Sequence, residues 1–173
     1  MRLFSPAWLN GDALPLRFAA GRRDLGGRVG AGANLSPPLC WRDLPPACRS
    51  LALLCHDFDA TAHAQSLDAV APLATALATE SARGDFFHWV LVDLPPDGSG
   101  LDEGQWRRAF QPGGHEPAQR NPGRGPREGL NDYGRWFSGQ SGLAGAYAGY
   151  DGPCPSVPVR PARPARRQQP HGA

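Results

Sequence analysis

Apolar residues along this chain gather into short runs that read as strands rather than as helical stripes. Leu51-Ala52-Leu53-Leu54-Cys55 is one such run, closed by Asp57 and Asp59, which is the pattern of a buried strand ending at two carboxylates. The strongest is Phe86-Phe87-His88-Trp89-Val90-Leu91-Val92-Asp93-Leu94, rich in aromatic and β-branched residues. It stops at Pro95-Pro96, which cannot continue a ladder. Both of its faces are apolar, so it is predicted to be central and covered on both sides, and a charge placed at Val90 is expected to unfold the domain. Ser36-Pro37-Pro38-Leu39-Cys40-Trp41 and Leu44-Pro45-Pro46 read as edge segments punctuated by turns. One stretch, Ser66–Arg83, has helical composition, interrupted by Pro72. Residues 111–127 are Pro-rich and charged and read as a loop. The pattern predicts a mostly β domain over residues 1–155. A tail follows over 156–173, whose Arg, Pro and Ala offer too little apolar surface to offset ordering entropy; it is expected to be disordered. No internal repeat is visible.

Composition narrows the classes. The 173 residues are enough for one domain with a sizeable core. The 22 glycines and 19 prolines are about a quarter of the chain, which fits a turn-rich β protein. All 18 basic side chains are Arg. Residues 1–151 hold 14 of them against all 16 acids, a net of −2, so the overall +2 belongs to the tail. A nucleic-acid-binding domain would be basic on a face of its fold, so this balance argues against one. No apolar run is long enough for a transmembrane helix, and the first residues lack the apolar core of a signal peptide. Cys40, Cys48, Cys55 and Cys154 form no Cys-x-x-Cys pair and read as free thiols. The expectation is a cytoplasmic protein.

Familiar catalytic signatures are absent. Gly139-Gln140-Ser141-Gly142 lacks the final Gly of a nucleophile elbow, because Leu143 stands there. His115-Glu116 has no second His one helical turn on, so it is no zinc-protease helix. Three places put polar groups where strands would bury them: Asp57 and Asp59, alternating with Cys55 onto one face; His88; and the loop Gly149-Tyr150-Asp151-Gly152-Pro153-Cys154-Pro155. Each has a bland reading, as a solvated strand end, a satisfied core histidine and a plain turn.

Their combination resembles a known family. Phe4-Ser5-Pro6-Ala7, then Gly11 and Leu14-Pro15, then Ala33-Asn34-Leu35-Ser36-Pro37-Pro38-Leu39-Cys40-Trp41 are similar to the opening of the phosphatidylethanolamine-binding protein (PEBP) family. The closer likeness is to its bacterial Raf-kinase-inhibitor-like branch. Asp57-Phe58-Asp59-Ala60 matches the family's Asp-Pro-Asp-Ala-Pro motif with Phe58 in place of the first Pro. Phe87-His88-Trp89-Val90, Asp93-Leu94-Pro95, Gly129-Leu130-Asn131-Asp132-Tyr133 and the loop 149–155 match further family segments in the right order. The likeness covers residues 1–59, 85–104 and 128–155. After Pro155 the family continues into a strand carrying a second pocket histidine, a last strand and often a helix; here an Arg/Pro/Ala tail follows, and His171 does not match that histidine. The C-terminal strands and helix are therefore expected to be missing, as a reading-frame change in a GC-rich gene would leave them.

The resemblance implies a large antiparallel sheet packed on a smaller one with few helices. It also implies a surface pocket for a phosphate or phospholipid head group, lined by Asp57, Asp59 and His88 with Gly152 and Pro153 on its wall. It implies no cofactor, and a non-enzymatic role, including regulation of a kinase or protease target. A homodimer is compatible with it. In such a pocket His88 donates to the anion, one of two coupled carboxyls is held neutral by burial and like charge, and loop N–H groups complete an anion nest. Two other readings stay open: a hydrolase using Asp57, Asp59 and His88 as acid and base, and a divalent-metal site on the same three residues.

Overall fold

Two long strands dominate the molecule, β5 (Leu51–Thr61) and β6 (Arg83–Leu94), paired antiparallel. The computed structural model describes residues 1–23, 25, 29–61, 83–107, 109, 111–117, 125–138 and 141–154. The helical reading of Ser66–Arg83 therefore lies outside the described residues except for Arg83, which opens β6, and the tail 156–173 lies outside them entirely.

Before β5 come β1 (Arg2–Phe4), β2 (Gly21–Arg23), β3 (Val29–Ala31) and β4 (Leu39–Arg42). After β6 come β7 (Gly100–Leu101), β8 (Gly114–His115), β9 (Arg127–Glu128), the single-turn helix α1 (Tyr133–Trp136) and β10 (Ala146–Tyr147). One three-stranded sheet runs β1-β4-β7 and the other β5-β6-β9, both antiparallel. Two small pairs complete the fold, antiparallel β2-β3 and parallel β8-β10. The protein is thus mostly β, as its patterning predicts. The Leu39–Trp41 segment, expected at an edge, is instead the middle strand of its sheet, because Pro37 and Pro38 precede the ladder rather than interrupt it.

The two sheets share one core. Trp41 of β4 and Leu101 of β7 pack with Leu53 of β5, Trp89, Leu91 and Leu94 of β6, and with Phe18, Trp106 and Tyr150. A second cluster, Phe86, Tyr133, Phe137 and Tyr147, continues it towards α1.

β6 lies between β5 and β9, as expected, but only one of its faces is buried. Phe86, His88, Trp89, Leu91 and Leu94 are buried, whereas Phe87, Val90 and Val92 are half-buried and Leu54 opposite Val90 is exposed. Irregularities in the ladder produce this sorting. His88 is an extra residue between Cys55↔Trp89 and His56↔Phe87, which turns Phe86, His88 and Trp89 to the same side. Asp93 takes a left-handed φ of 58° between Leu53↔Leu91 and Leu51↔Leu94, returning Leu94 to the buried side. Arg127 Nε, 2.6 Å from Asp93 Oδ2, ties that turn to β9.

Candidate functional site

His88 sits in the β6 irregularity and is only 6% exposed. Its Nδ1 lies 2.9 Å from the carbonyl oxygen of Asp151, and the Asp151 N–H donates back to the His88 carbonyl at 3.1 Å. A carbonyl only accepts, so Nδ1 carries the proton and Nε2 is the nitrogen left for other chemistry. Burial lowers the pKa of His88, opposed by the Asp151 carbonyl and by the charges of Asp57 and Asp132. Phe86 and Tyr133 flank the ring at 4.6 and 5.9 Å between centroids.

Asp151 is fully buried, and its carboxylate is held by two amides. Asn34 Nδ2 donates to Oδ1 at 2.9 Å and Asn131 Nδ2 to Oδ2 at 2.8 Å. Asn34 Oδ1 in turn accepts the Gly152 N–H at 2.8 Å, and Asn131 Oδ1 accepts that of Tyr133 at 3.1 Å. This network joins the segments around residues 34, 131 and 151 directly behind His88. Reading the sequence picked out Asn34, Asn131 and Asp151 only as members of family-like segments, not as a unit. The available signal was three short amide and acid side chains set among Gly and Pro in otherwise apolar loops.

Gly152 is buried and Pro153 half-buried on the far side of that network. A Cβ on Gly152 would overlap the Phe18 carbonyl oxygen and come within 2.8 Å of the Tyr150 hydroxyl, so only glycine fits there. The Gly152 carbonyl accepts the Tyr133 hydroxyl at 2.7 Å, and the Pro153 carbonyl accepts the Ala20 N–H at 3.0 Å. The expected anion nest is not formed by these donors: the N–H groups of Gly149, Asp151 and Gly152 go to Gly129, His88 and Asn34.

The two carboxylates separate. β5 does not end at these carboxylates but runs on to Thr61, so both stand inside the strand, where the register against β6 slips between Asp57 and Ala60. That slip breaks the alternation expected from Cys55. Asp57 is half-buried and near enough to act on His88 through its charge, while Asp59 is exposed and its N–H donates to Asp57 Oδ1 at 2.9 Å. The burial invoked to neutralise one carboxyl is thus absent at Asp59. Cys55 beside them has its thiol pushed up to about 11, by burial first and by Asp57 second. No group of three or more His, Cys, Asp or Glu among the described residues is arranged to hold a metal ion, so Asp57, Asp59 and His88 do not form the metal set considered above. No helix among them is long and apolar enough to cross a membrane.

Sequence comparison adds the context. The profile of the family described as phosphatidylethanolamine-binding protein matches residues 4–163. A UPF0098 protein of Methanothermobacter thermautotrophicus is 35% identical over 72 residues, 42% of this chain and 34% of that protein. The UPF0098 protein YbhB of Escherichia coli is 30% identical over 104 residues, 60% of this chain and 50% of YbhB. A UPF0098 protein of Chlamydia pneumoniae is 29% identical over 104 residues, 60% of this chain and 52% of that protein. The chain thus spans between a third and about half the length of these relatives.

Proposed function

The chain belongs to the phosphatidylethanolamine-binding protein family, and on that premise we propose that it is a non-enzymatic binder of a small anion, a phosphate or phospholipid head group, received at His88. Asp57 and Asp59 stand at the mouth of this site, and Gly152 and Pro153 form its wall. Regulation of a protein target, a kinase or a protease, is the biological role this reading carries. The observation behind it is the locked tautomer of His88: with Nδ1 committed to the Asp151 carbonyl, Nε2 is the atom available to a ligand. Neutral, Nε2 accepts; protonated, it donates to an anionic oxygen, and the anion's charge in turn favours the imidazolium.

Binding on these terms takes up a proton. The fold lowers the His88 pKa, so an anion must restore the charge that burial opposes, and affinity rises as the pH falls. The same geometry weakens the hydrolase alternative. The group orienting His88 is a carbonyl rather than a carboxylate, which a catalytic Asp–His pair would need.

Sulfate is a suitable probe, because its charge is constant between about pH 5 and 8, the range in which histidine titrates. Calorimetric titration is expected to show tighter binding at the acidic end, and roughly ten- to a hundredfold weaker binding in His88→Gln, the loss of one charge-assisted hydrogen bond. Phosphoethanolamine in the same titration separates a head-group preference from general anion binding. Equal affinity for sulfate in wild type and His88→Gln would remove His88 from the site and the proposal with it.

A further inference from the structure

β9 pairs with β6 at Leu91 and Val92. Nearer the start of β6, at Phe87, Asp132 stands where a ladder partner would be. Its N–H donates to the Phe87 carbonyl at 2.9 Å, and its Oδ2 accepts the Phe87 N–H at 2.8 Å. One residue thus holds both main-chain groups of Phe87, with a carboxylate oxygen in place of the carbonyl a strand would supply. The grip falls at the ladder irregularity, on the residue before His88. Two consecutive residues of β6 are therefore each held in two directions, Phe87 by Asp132 and His88 by Asp151. Asp132 gives up its usual work for this. An aspartate that opens a helix ordinarily accepts an N–H of the first turn; Asp132 opens α1 and makes no such bond. Asn131 Oδ1 accepts the Tyr133 N–H instead. The Asp132 side chain is 24% exposed, and Arg135, 3.6 Å away, also donates to the Asp85 carbonyl at 3.1 Å.

We propose that Asp132 is a positioning residue for His88, fixing the β6 irregularity so that the ring stays on the Asp151 carbonyl and Nε2 is left for the anion. This role rests on the anion reading of His88, and Asp132 acts through the strand rather than on the ligand. A helix cap set aside at the residue beside a binding group is the kind of local irregularity that accompanies function. A neutral side-chain oxygen would accept the Phe87 N–H as well and be cheaper to bury, so the charge of Asp132 has a use of its own. That use is at His88. Together with Asp57 of β5, Asp132 favours the imidazolium, against burial and the charge of His56. Arg135 offsets part of the Asp132 charge, and the Asp151 carboxylate behind the ring is held by Asn34 and Asn131.

Two substitutions separate grip from charge. Asp132→Asn keeps an oxygen acceptor for the Phe87 N–H and loses the charge; Asp132→Ala loses both. An NMR pH titration of the His88 ring and a calorimetric titration with sulfate at about pH 6, both on the full chain, read them out. Asp132→Ala is expected to bind sulfate at least about tenfold more weakly than wild type and to show a mixture of the two neutral tautomers of His88. Asp132→Asn is expected to restore the single Nδ1-protonated tautomer, while His88 takes up its proton at a lower pH than in wild type. A merely structural link between α1 and the sheet would not move that midpoint. Wild-type sulfate affinity in Asp132→Ala overturns the proposal, as does an Asp132→Asn variant whose His88 titrates with the wild type. Where Asp132→Ala fails to fold, the Asp132→Asn midpoint alone supports or overturns it. Sulfate bound equally by wild type and His88→Gln removes the anion site itself. A loss of affinity in His88→Gln with none in Asp132→Ala keeps that site and removes only the role of Asp132.

Discussion

His88 is a histidine whose protonation the fold resists. Its ordinary pKa of 6.5 is lowered in the folded protein, burial outweighing the Asp151 carbonyl and the charges of Asp57 and Asp132. Between the folded and unfolded values the unfolded chain holds the extra proton, so stability rises with pH across that window. Above about pH 6.5 His88 costs nothing; acidification brings in the penalty, which is complete once the pH is below the folded value. Urea unfolding at about pH 8 and pH 5.5 is expected to show a larger acid loss of stability in wild type than in His88→Gln, since the glutamine keeps a polar side chain and cannot titrate. Equal losses would assign the acid sensitivity to other groups. At this scale His88 and Asp57 were legible, because a histidine between Phe87 and Trp89 and an acid after an apolar run stand out in one dimension. Asn34 and Asn131 were not. Their common partner Asp151 is 117 residues from one and 20 from the other, and nothing in a linear pattern says that two amides meet one carboxylate.

At the scale of the element, β6 shows how far periodicity carries and where it stops. Its position, content and end at Pro95 follow from side-chain type and from proline's missing N–H. The assignment of its faces does not, because simple alternation assumes a regular ladder and this one slips at His88 and again near Asp93. β5 likewise runs past the two carboxylates expected to close it, to Thr61, because polar side chains at a register slip do not by themselves end a strand. The faces decide what a buried charge does. Leu91→Asp, at a fully buried site in the shared core, is expected to unfold the domain. Val90→Asp faces the half-open side, over Gly129, and is expected to destabilise by a smaller amount, about 1–2 kcal/mol, without loss of fold. Circular dichroism melts of the two variants separate these outcomes. A Val90→Asp variant as unfolded as Leu91→Asp would mean that both sides of β6 are sealed.

At the scale of the molecule, Asp151 ties together parts of the chain that are far apart in sequence. Its carboxylate joins the Asn34 and Asn131 segments, its backbone grips His88 in both directions, and Asn34 passes the connection on to Gly152. Gly152 and Pro153 in turn lie against Phe18, Ala20 and Tyr133, so the network bridges the loop before β2, the centre of β6 and the start of α1. A buried carboxylate held by neutral amides is a costly way to join segments, and removing it takes an acceptor from each of two buried amides behind His88. Asp151→Ala is therefore expected to destabilise the protein by about 3 kcal/mol, lowering the melting temperature by roughly 6–12 °C for a chain of this size. It is also expected to free His88 Nδ1, because the loop that presents its carbonyl is no longer pinned. The histidine's NMR signals report this second effect: in wild type the neutral ring gives the Nδ1-protonated tautomer, and in Asp151→Ala a mixture of both. Asp151→Asn, which keeps one acceptor and the size of the side chain, should fall between the two in stability while retaining the wild-type tautomer. If Asp151→Ala melts with the wild type, the three segments are held by their apolar contacts and the network only fills the space behind the histidine.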